Sequence, residues 1–313
     1  MAALAFFHLL RLVPAIASAS CFQKVYAYGR SQIYEYLALE KLGEDVGSLS
    51  QTPNDLTLQN LVAVAWQMLD AIEFVHSRGI IHCDIRRGNF PVGVGTDEGR
   101  VKLIDFGLAR NYRDPSTQEH IHEKILQKHA VTYRYISLNM HLHHNPSCRE
   151  DIESLAYTIA ELLCGDLPWA THGTEEYFAM KQLWPGSALC AGYPAVFGDF
   201  VDYARSLAFQ ETHDYHLPVW KRRFLAVAPE LEGRPIYDLS RPGALVGKRR
   251  GDTGPSSNGP VLEQPSSASS RGVFLVVHGV VRREGIHSNR GSHRRRTDDG
   301  APEPGVHRGA ICE

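Results

Sequence analysis

"GIIHCDIRRGNF", residues 79–90, is the stretch on which the fold is decided. Within it His82 stands two positions before Asp84, and Asn89 follows Asp84 by five. Alone, this spacing is a weak signal. Its surroundings sharpen it. Upstream, Leu58, Leu61, Val62, Ala65, Met68, Leu69, Ile72 and Val75 recur at helical spacing, with Thr57 as a plausible N-cap and Gly79 just past the end. A long buried helix is expected to feed straight into the stretch. Downstream, "FPVGV" and "RVKLI" read as two short strands joined by "GTDEG", a hairpin. That hairpin delivers "LIDFGLA", which carries Asp105. Asn89 and Asp105 thus flank a hairpin and offer the hard oxygen donors that Mg²⁺ prefers when it also holds phosphate.

The bulk numbers set the frame. A chain of 313 residues allows one large domain or two small ones. Hydrophobic residues make up 43% and charged residues 22%, the balance of an ordinary globular protein. The net charge of -2 gives the whole chain no pull toward nucleic acid or anionic lipid. Six cysteines are scattered without a CxxC pair, which indicates neither a zinc ribbon nor a disulfide framework and suits a reducing compartment. "MAALAFFHLLRLVPAIASAS" has an apolar run ending in small residues, like a secretory leader. Its start carries no positive side chain, and His8 and Arg11 interrupt the run, so a buried remnant of a larger domain is preferred. No uninterrupted apolar run reaches the roughly 18 residues of a membrane span. A cytoplasmic or nuclear monomer is expected.

Three regions follow. Residues 1–22 are left as an unassigned N-terminal remnant. Residues 23–238 form one domain, whose small sheet runs to about residue 42 and whose remainder, 43–238, is mostly helical. Two strands are expected within 23–45, turning at Gly29, Arg30 and Ser31, and helices over "DIESLAYTIAELLCG" and "FGDFVDYARSLAF". Residues 239–313 are Gly-, Ser-, Pro- and Arg-rich and are expected to be disordered, apart from one apolar island, "GVFLVVHGVV", that reads as a β-segment.

Protein kinases carry H-R-D-x-x-x-x-N followed by D-F-G, and this chain resembles them in that order of motifs. "DFGLARNYRDPSTQEHI", "YRYISLNMHLHHNPSCREDIESLAY", "CGDLPW" and "KVYAYGR" resemble the casein kinase 1 family of serine/threonine kinases, over about residues 22–230. Ser137-Leu138-Asn139 stands where that family replaces A-P-E with S-I-N. The resemblance implies an α+β kinase-like fold, ATP and Mg²⁺ as cofactors, and a protein substrate. It implies that Asp84 is the catalytic base, that Arg86 keeps a charge near the γ-phosphate, and that Asn89 and Asp105 are metal ligands. His82, Phe106, Gly107 and Asp151 are then structural, with Asp151 holding the catalytic loop's backbone. Leu39 occupies the gatekeeper position, and Glu40, Lys41 and Leu42 match the hinge that faces adenine. Arg134 matches a residue that binds an acidic or phosphorylated substrate.

Departures from the pattern matter as much. Cys83 replaces the loop arginine, Arg86 the usual lysine, and Arg87-Gly88 the usual proline and acidic residue. Small and usually inert, cysteine is read as a tolerated replacement. Kinases also need a Gly-rich loop and a strand lysine paired with a helix glutamate, all ahead of the hinge. Residues 1–34 contain no aspartate or glutamate, and Lys24 is their only lysine. The Gly93, Gly95, Gly99 cluster has the wrong spacing for a phosphate loop. Glu175 and Glu176 stand about where the family places basic residues, which weakens the anion site. His141, His143 and His144 near Cys148 invite a zinc reading, against which the resemblance sets a surface loop. Three readings remain: a casein kinase 1-like enzyme, a catalytically dead pseudokinase or scaffold, and a gene product whose N-lobe is truncated.

Overall fold

The computed structural model describes residues 19–30, 35–49, 56–126, 133–211, 217–231, 235–238 and 273–278. The remnant before residue 19, residues 31–34 and most of the expected disordered tail lie outside them; of the expected turn, Gly29 and Arg30 instead belong to a strand, paired with Tyr36 and Glu35, and Ser31 lies outside the described residues. Among the described residues, strands β1 (Val25–Arg30) and β2 (Glu35–Glu40) pair antiparallel, from Val25 opposite Leu39 to Arg30 opposite Glu35. Chain order then runs through a short helix α1 (Val46–Leu49), the long α2 (Leu58–Ser77), a two-stranded ribbon of β3 (Ile80–Ile81) and β4 (Arg110–Asn111), and α3 (Leu138–His141). Helices α4 (Cys148–Cys164), α5 (Tyr177–Leu183), α6 (Gly186–Leu189), α7 (Ala195–Ser206) and α8 (Leu217–Leu225) complete the lobe. The apolar island of the tail forms β5 (Val273–His278), antiparallel to β2. A partial sheet on a helical lobe is the α+β fold expected from the motifs. No helix among the described residues is long and apolar enough to cross a membrane.

Helix α2 starts where Thr57 caps it: the side-chain oxygen accepts the Asn60 N–H at 2.9 Å. Its apolar residues are buried on nearly every side, packed against α4 and α8. It stops at Gly79, whose φ of 75° suits a residue without Cβ, and the chain turns into β3. Every one of the 17 residues of α4 is buried. A helix buried all round is a core helix, and its charges must find partners. The Ser147 and Glu150 capping box starts it three residues earlier than "DIESLAY" suggests, and Gly165 at φ 86° ends it. Helix α7 crosses α6 closely because Gly198 faces Gly186: a Cβ on Gly198 would lie 2.7 Å from the Gly186 carbonyl oxygen. It covers Ala195–Ser206 rather than 197–209, since Leu207 has already turned extended.

The hairpin differs from expectation. "FPVGV" and "RVKLI" share a single bridge, Val92 to Val101, and Gly93 bridges Glu98 of "GTDEG", so two strands do not form. Their amides are shared among several partners. Val92 donates to the Glu44 carbonyl, Lys102 to Pro91 and Leu103 to Cys21, each at 2.9 Å, so no continuous ladder forms.

Candidate active site

Two arms of the fold meet at His82. Its backbone N–H donates to Asp151 Oδ2 at 2.7 Å, and the Cys83 N–H donates to Asp151 Oδ1 at 2.8 Å. His76 Nε2, from the end of α2, lies 2.9 Å from the same Asp151 Oδ2. Asp151 sits in the first turn of α4 and is 2% exposed. Three donors hold its carboxyl below the usual range against a burial effect that would raise it. This bridge fixes Cys83 at φ 66°, left-handed backbone that a residue with a Cβ rarely adopts. The Cys83 thiol is half-buried, and burial together with Asp151 pushes its pKa well up, so it remains a thiol.

The His82 ring reaches both motifs. Nε2 bonds the Ile104 carbonyl at 2.9 Å, and Nδ1 accepts the Asp84 N–H at 3.3 Å. Those two bonds require a neutral ring with the proton on Nε2, and burial lowers its pKa accordingly. The negative charges of Asp84 and Asp105 both act on this ring. Phe106 meets it edge-on at 4.9 Å and also touches Phe22 at 5.9 Å. The structure thereby brings together His82, Asp84, Asp105, Phe106 and Asp151.

Asn89 joins from a turn of 3-10 helix, Arg87–Asn89. Its Nδ2 donates to the Asp84 carbonyl at 2.7 Å and to Asp84 Oδ2 at 3.0 Å, while the Ile104 N–H returns to the Asn89 carbonyl at 3.0 Å. With the amide nitrogen committed to Asp84, the side-chain oxygen is the atom left for a cation. Asp105 has left-handed backbone, φ 63°, and accepts the Gly107 N–H at 3.2 Å on Oδ1. Gly107 suits this turn, because a Cβ there would stand 3.0 Å from Asp105 Oδ1. An amide oxygen and a carboxylate oxygen make a donor set that fits Mg²⁺. Arg86 Nε lies 3.2 Å from Asp84 Oδ2, with its side chain 39% exposed, so it both covers the Asp84 carboxylate and reaches solvent.

Strand β2 and the residues after it are built differently from the loop. Leu39 lies within β2 between Val25 and Phe274. The Glu40 N–H donates to the Lys24 carbonyl and the Glu40 carbonyl accepts from Gln23 Nε2, both at 2.8 Å, so its backbone is engaged inside the sheet. Lys41 is exposed and Leu42 half-buried just beyond the strand. Lys24 Nζ points to Asp97 at 2.9 Å and Glu40 at 3.3 Å. Lys102, 0% exposed, shares the same carboxylates at 2.8 and 3.1 Å. Lys102 and Lys24 hold the Asp97 carboxyl well below the usual range. This four-member cluster was missed from sequence. Its one legible signal is a lysine inside the apolar run "RVKLI".

Arg134 sits over the far end of α4. Its guanidinium meets Glu161 at 2.6 Å and also Asp166, and the Tyr135 hydroxyl donates to Glu161 at 2.6 Å. Arg87 of the catalytic loop reaches the same Glu161 at 3.7 Å. The three histidines and Cys148 do not converge. His141 faces Lys181 at 3.2 Å, His144 faces Glu123 at 2.9 Å, and Cys148 is buried beside His76. Trp169 is wholly buried and donates Nε1 to the Arg134 carbonyl at 2.9 Å, and Trp184 packs against the core.

Compared with known families, residues 18–186 match the model described as Protein kinase domain, more than half of the chain.

Proposed function

Since this chain belongs to the protein kinase domain family, we propose that it is a casein kinase 1-like serine/threonine kinase lobe, built to phosphorylate hydroxyls of proteins. One observation carries the reading: Asp84, Asn89 and Asp105, set apart by motif spacing, are drawn together around the neutral His82 ring. Asp84 is the group that orients the substrate hydroxyl and takes its proton. Asn89 holds Asp84 by a hydrogen bond and, with Asp105, offers oxygens to magnesium. That ion, when bound with ATP, neutralises phosphate charge. Arg86 places a guanidinium next to the base, where a transferring phosphoryl group carries its charge. Leu39, Glu40, Lys41 and Leu42 form the adenine side of the cleft. The serine/threonine preference rests on the casein kinase 1-like segments, above all Ser137-Leu138-Asn139, whose Ser137 caps α3 by accepting the Met140 N–H at 3.0 Å.

A second reading is a binding scaffold with the same lobe and little turnover. It is favoured by Lys24, the lysine nearest the front of the sequence, whose charge is spent on Glu40 and Asp97 rather than on a phosphate clamp. A preorganised donor that is not in place costs on the order of 10²–10³ in rate. Thermal-shift titrations with ATP, with and without Mg²⁺, separate the two. A Mg²⁺-dependent shift that disappears in both Asn89→Ala and Asp105→Asn supports the nucleotide site. A shift of equal size in all three proteins refutes it.

A further inference from the structure

Residues 133–138 lead from the activation-segment side into α3 without a β-ladder. Buried side chains instead take up their backbone groups one by one. Trp169 Nε1 holds the Arg134 carbonyl at 2.9 Å, and Glu153 Oε1 accepts the Leu138 N–H at 2.9 Å. The remaining tie is Lys181, on α5. Its Nζ donates to the Tyr133 carbonyl at 2.9 Å and to the Ile136 carbonyl at 2.7 Å, and it lies 3.2 Å from His141 Nε2.

Lys181 is 0% exposed, a position at which lysine is rarely found. Its surroundings offer its N–H groups acceptors, although burial lowers its pKa to about 7 against the opposing charge of Glu153. The group has three donors and no acceptor, and here it faces three acceptors. The rings of Tyr157 and Trp169 lie 5.1 and 5.5 Å from the nitrogen. Burial and the nearby Lys181 drive the His141 pKa down to about 3, so that ring stays neutral and keeps a lone pair for the lysine. Helix α5 is itself fastened from below: Arg205 donates to the Lys181 carbonyl at 3.1 Å, to the Trp184 carbonyl at 2.7 Å and to the Tyr157 hydroxyl at 3.1 Å. Glu161 ties Arg134 and Tyr135 of the same segment to Arg87 of the catalytic loop. The segment is therefore mounted beside Asp84.

We propose that Lys181 is the positioning residue of the peptide-docking segment: its Nζ–H donors fix the backbone of Tyr133–Ile136 beside the catalytic loop, so that a protein substrate meets a preformed surface. The substrate clause rests on the protein-phosphorylation reading; the mounting itself does not.

The test uses the full chain with Lys181→Met, Lys181→Gln and His141→Ala. Hydrogen exchange is followed at the amides of residues 133–138 and, as a reference, in α2 and α4. Affinity for an unphosphorylated serine peptide is measured by NMR titration alongside the Mg²⁺–ATP thermal shift. Lys181→Met is expected to speed exchange at residues 133–138 by at least about tenfold while α2 and α4 hold their rates. Lys181→Gln, which keeps two N–H donors, is expected to recover part of that protection, and His141→Ala to lose least. Peptide affinity should fall in Lys181→Met with the nucleotide response unchanged. Unchanged exchange at residues 133–138, or a rise shared equally by α2 and α4, overturns the positioning role. If wild type binds no peptide while the exchange pattern appears as expected, the mounting stands and the protein-phosphorylation reading falls. Should Lys181→Met fail to fold, the same comparison is read from Lys181→Gln and His141→Ala.

Discussion

Asp151→Asn isolates the bond on which the loop geometry depends. The carboxylate accepts three hydrogen bonds, from His76 Nε2, the His82 N–H and the Cys83 N–H. An asparagine amide in the same place has one acceptor atom and one donor group. If its nitrogen faces Cys83, the Cys83 N–H meets a donor. If its nitrogen faces the other two, His76 can answer by changing tautomer, but the His82 N–H cannot. Either orientation leaves one buried backbone N–H without an acceptor, which costs about 1–3 kcal/mol. The negative charge that reinforced the other bonds is also lost, and a buried pair broken on one side costs about 3–5 kcal/mol in all. Cys83 then has less to hold it at φ 66°, a conformation that costs of order 1–3 kcal/mol for such a residue. The expected result is a destabilisation of about 3–5 kcal/mol by urea denaturation, with the largest amide shifts at His82, Cys83 and Asp84. A cycle with His76→Gln should show the two substitutions to be non-additive, because they break one shared bond. A loss below about 1 kcal/mol, or additive effects, would mean that the loop holds its shape without the bridge, and the reasoning would fail.

Four further outcomes are expected. The 313-residue chain should turn over ATP with an acidic peptide no faster than its Asp84→Asn variant; robust turnover that vanishes in Asp84→Asn would show that these 313 residues suffice for phosphoryl transfer. A peptide phosphorylated upstream of its serine should bind within about threefold of its unphosphorylated form, because Arg134 already serves Glu161 and Asp166, and a much stronger preference that persists in Arg134→Gln would contradict this. Lys102→Met should cost about 2–3 kcal/mol, less than a broken isolated pair because Lys24 still neutralises Glu40 and Asp97, and NMR titration should find the Asp97 pKa raised. Stability should also respond to His76: burial opposes the charged ring, but Cys148 and Asp151 outweigh it and hold the pKa up to about 10, above the ordinary 6.5. A raised folded pKa gives stability that is complete below pH 6.5 and lost as pH rises toward 10, so the gap between wild type and His76→Gln should narrow over that range. The gap is the quantity to read, because Lys181, lowered by burial to about 7, contributes with the opposite slope between pH 7 and 10.5.

What the sequence made legible, and what it hid, divide along a physical line. Asp84, Asn89 and Asp105 could be singled out because the chemistry proposed for them needs fixed residue types at short spacing. Helix α2 could be found because its apolar residues repeat with the helical period. The hairpin was overread, since β-prone residues do not reveal whether their amides share one partner strand or several. Harder still were Glu153, Glu161, Lys102 and Lys181, all at most 1% exposed. A charge in a sequence reads as a solvated face, because unpaired charges are almost never fully buried. Most of their partners are remote: Glu161 reaches back to Tyr135 and Arg87, Lys181 to Tyr133 and Ile136, Lys102 to Glu40. No periodicity encodes a bond between residues so far apart in the chain. Only Asp151 was anticipated, and only through a family resemblance.

That division also explains how the loop departs so far from the usual spelling and still closes around Asp84. The loop is shaped by Asp151 acting on the backbone N–H groups of His82 and Cys83, and a backbone N–H is the same whichever side chain follows it. Cys83 can therefore stand where an arginine is usual without changing the bond that sets φ there. The segment at residues 133–138 follows the same logic: Lys181, Trp169 and Glu153 grip its backbone, so its one exposed side chain, Tyr133, is free to vary, while Tyr135, Ile136 and Ser137 stay buried. The polar groups buried on α4 and α5 act as a frame, and the residues they hold change more cheaply than the frame does. Substitutions at Cys83 should accordingly be tolerated far better than substitutions at Asp151. A Cys83→Arg variant should keep the wild-type unfolding free energy within about 1 kcal/mol by urea denaturation, whereas Asp151→Asn should not.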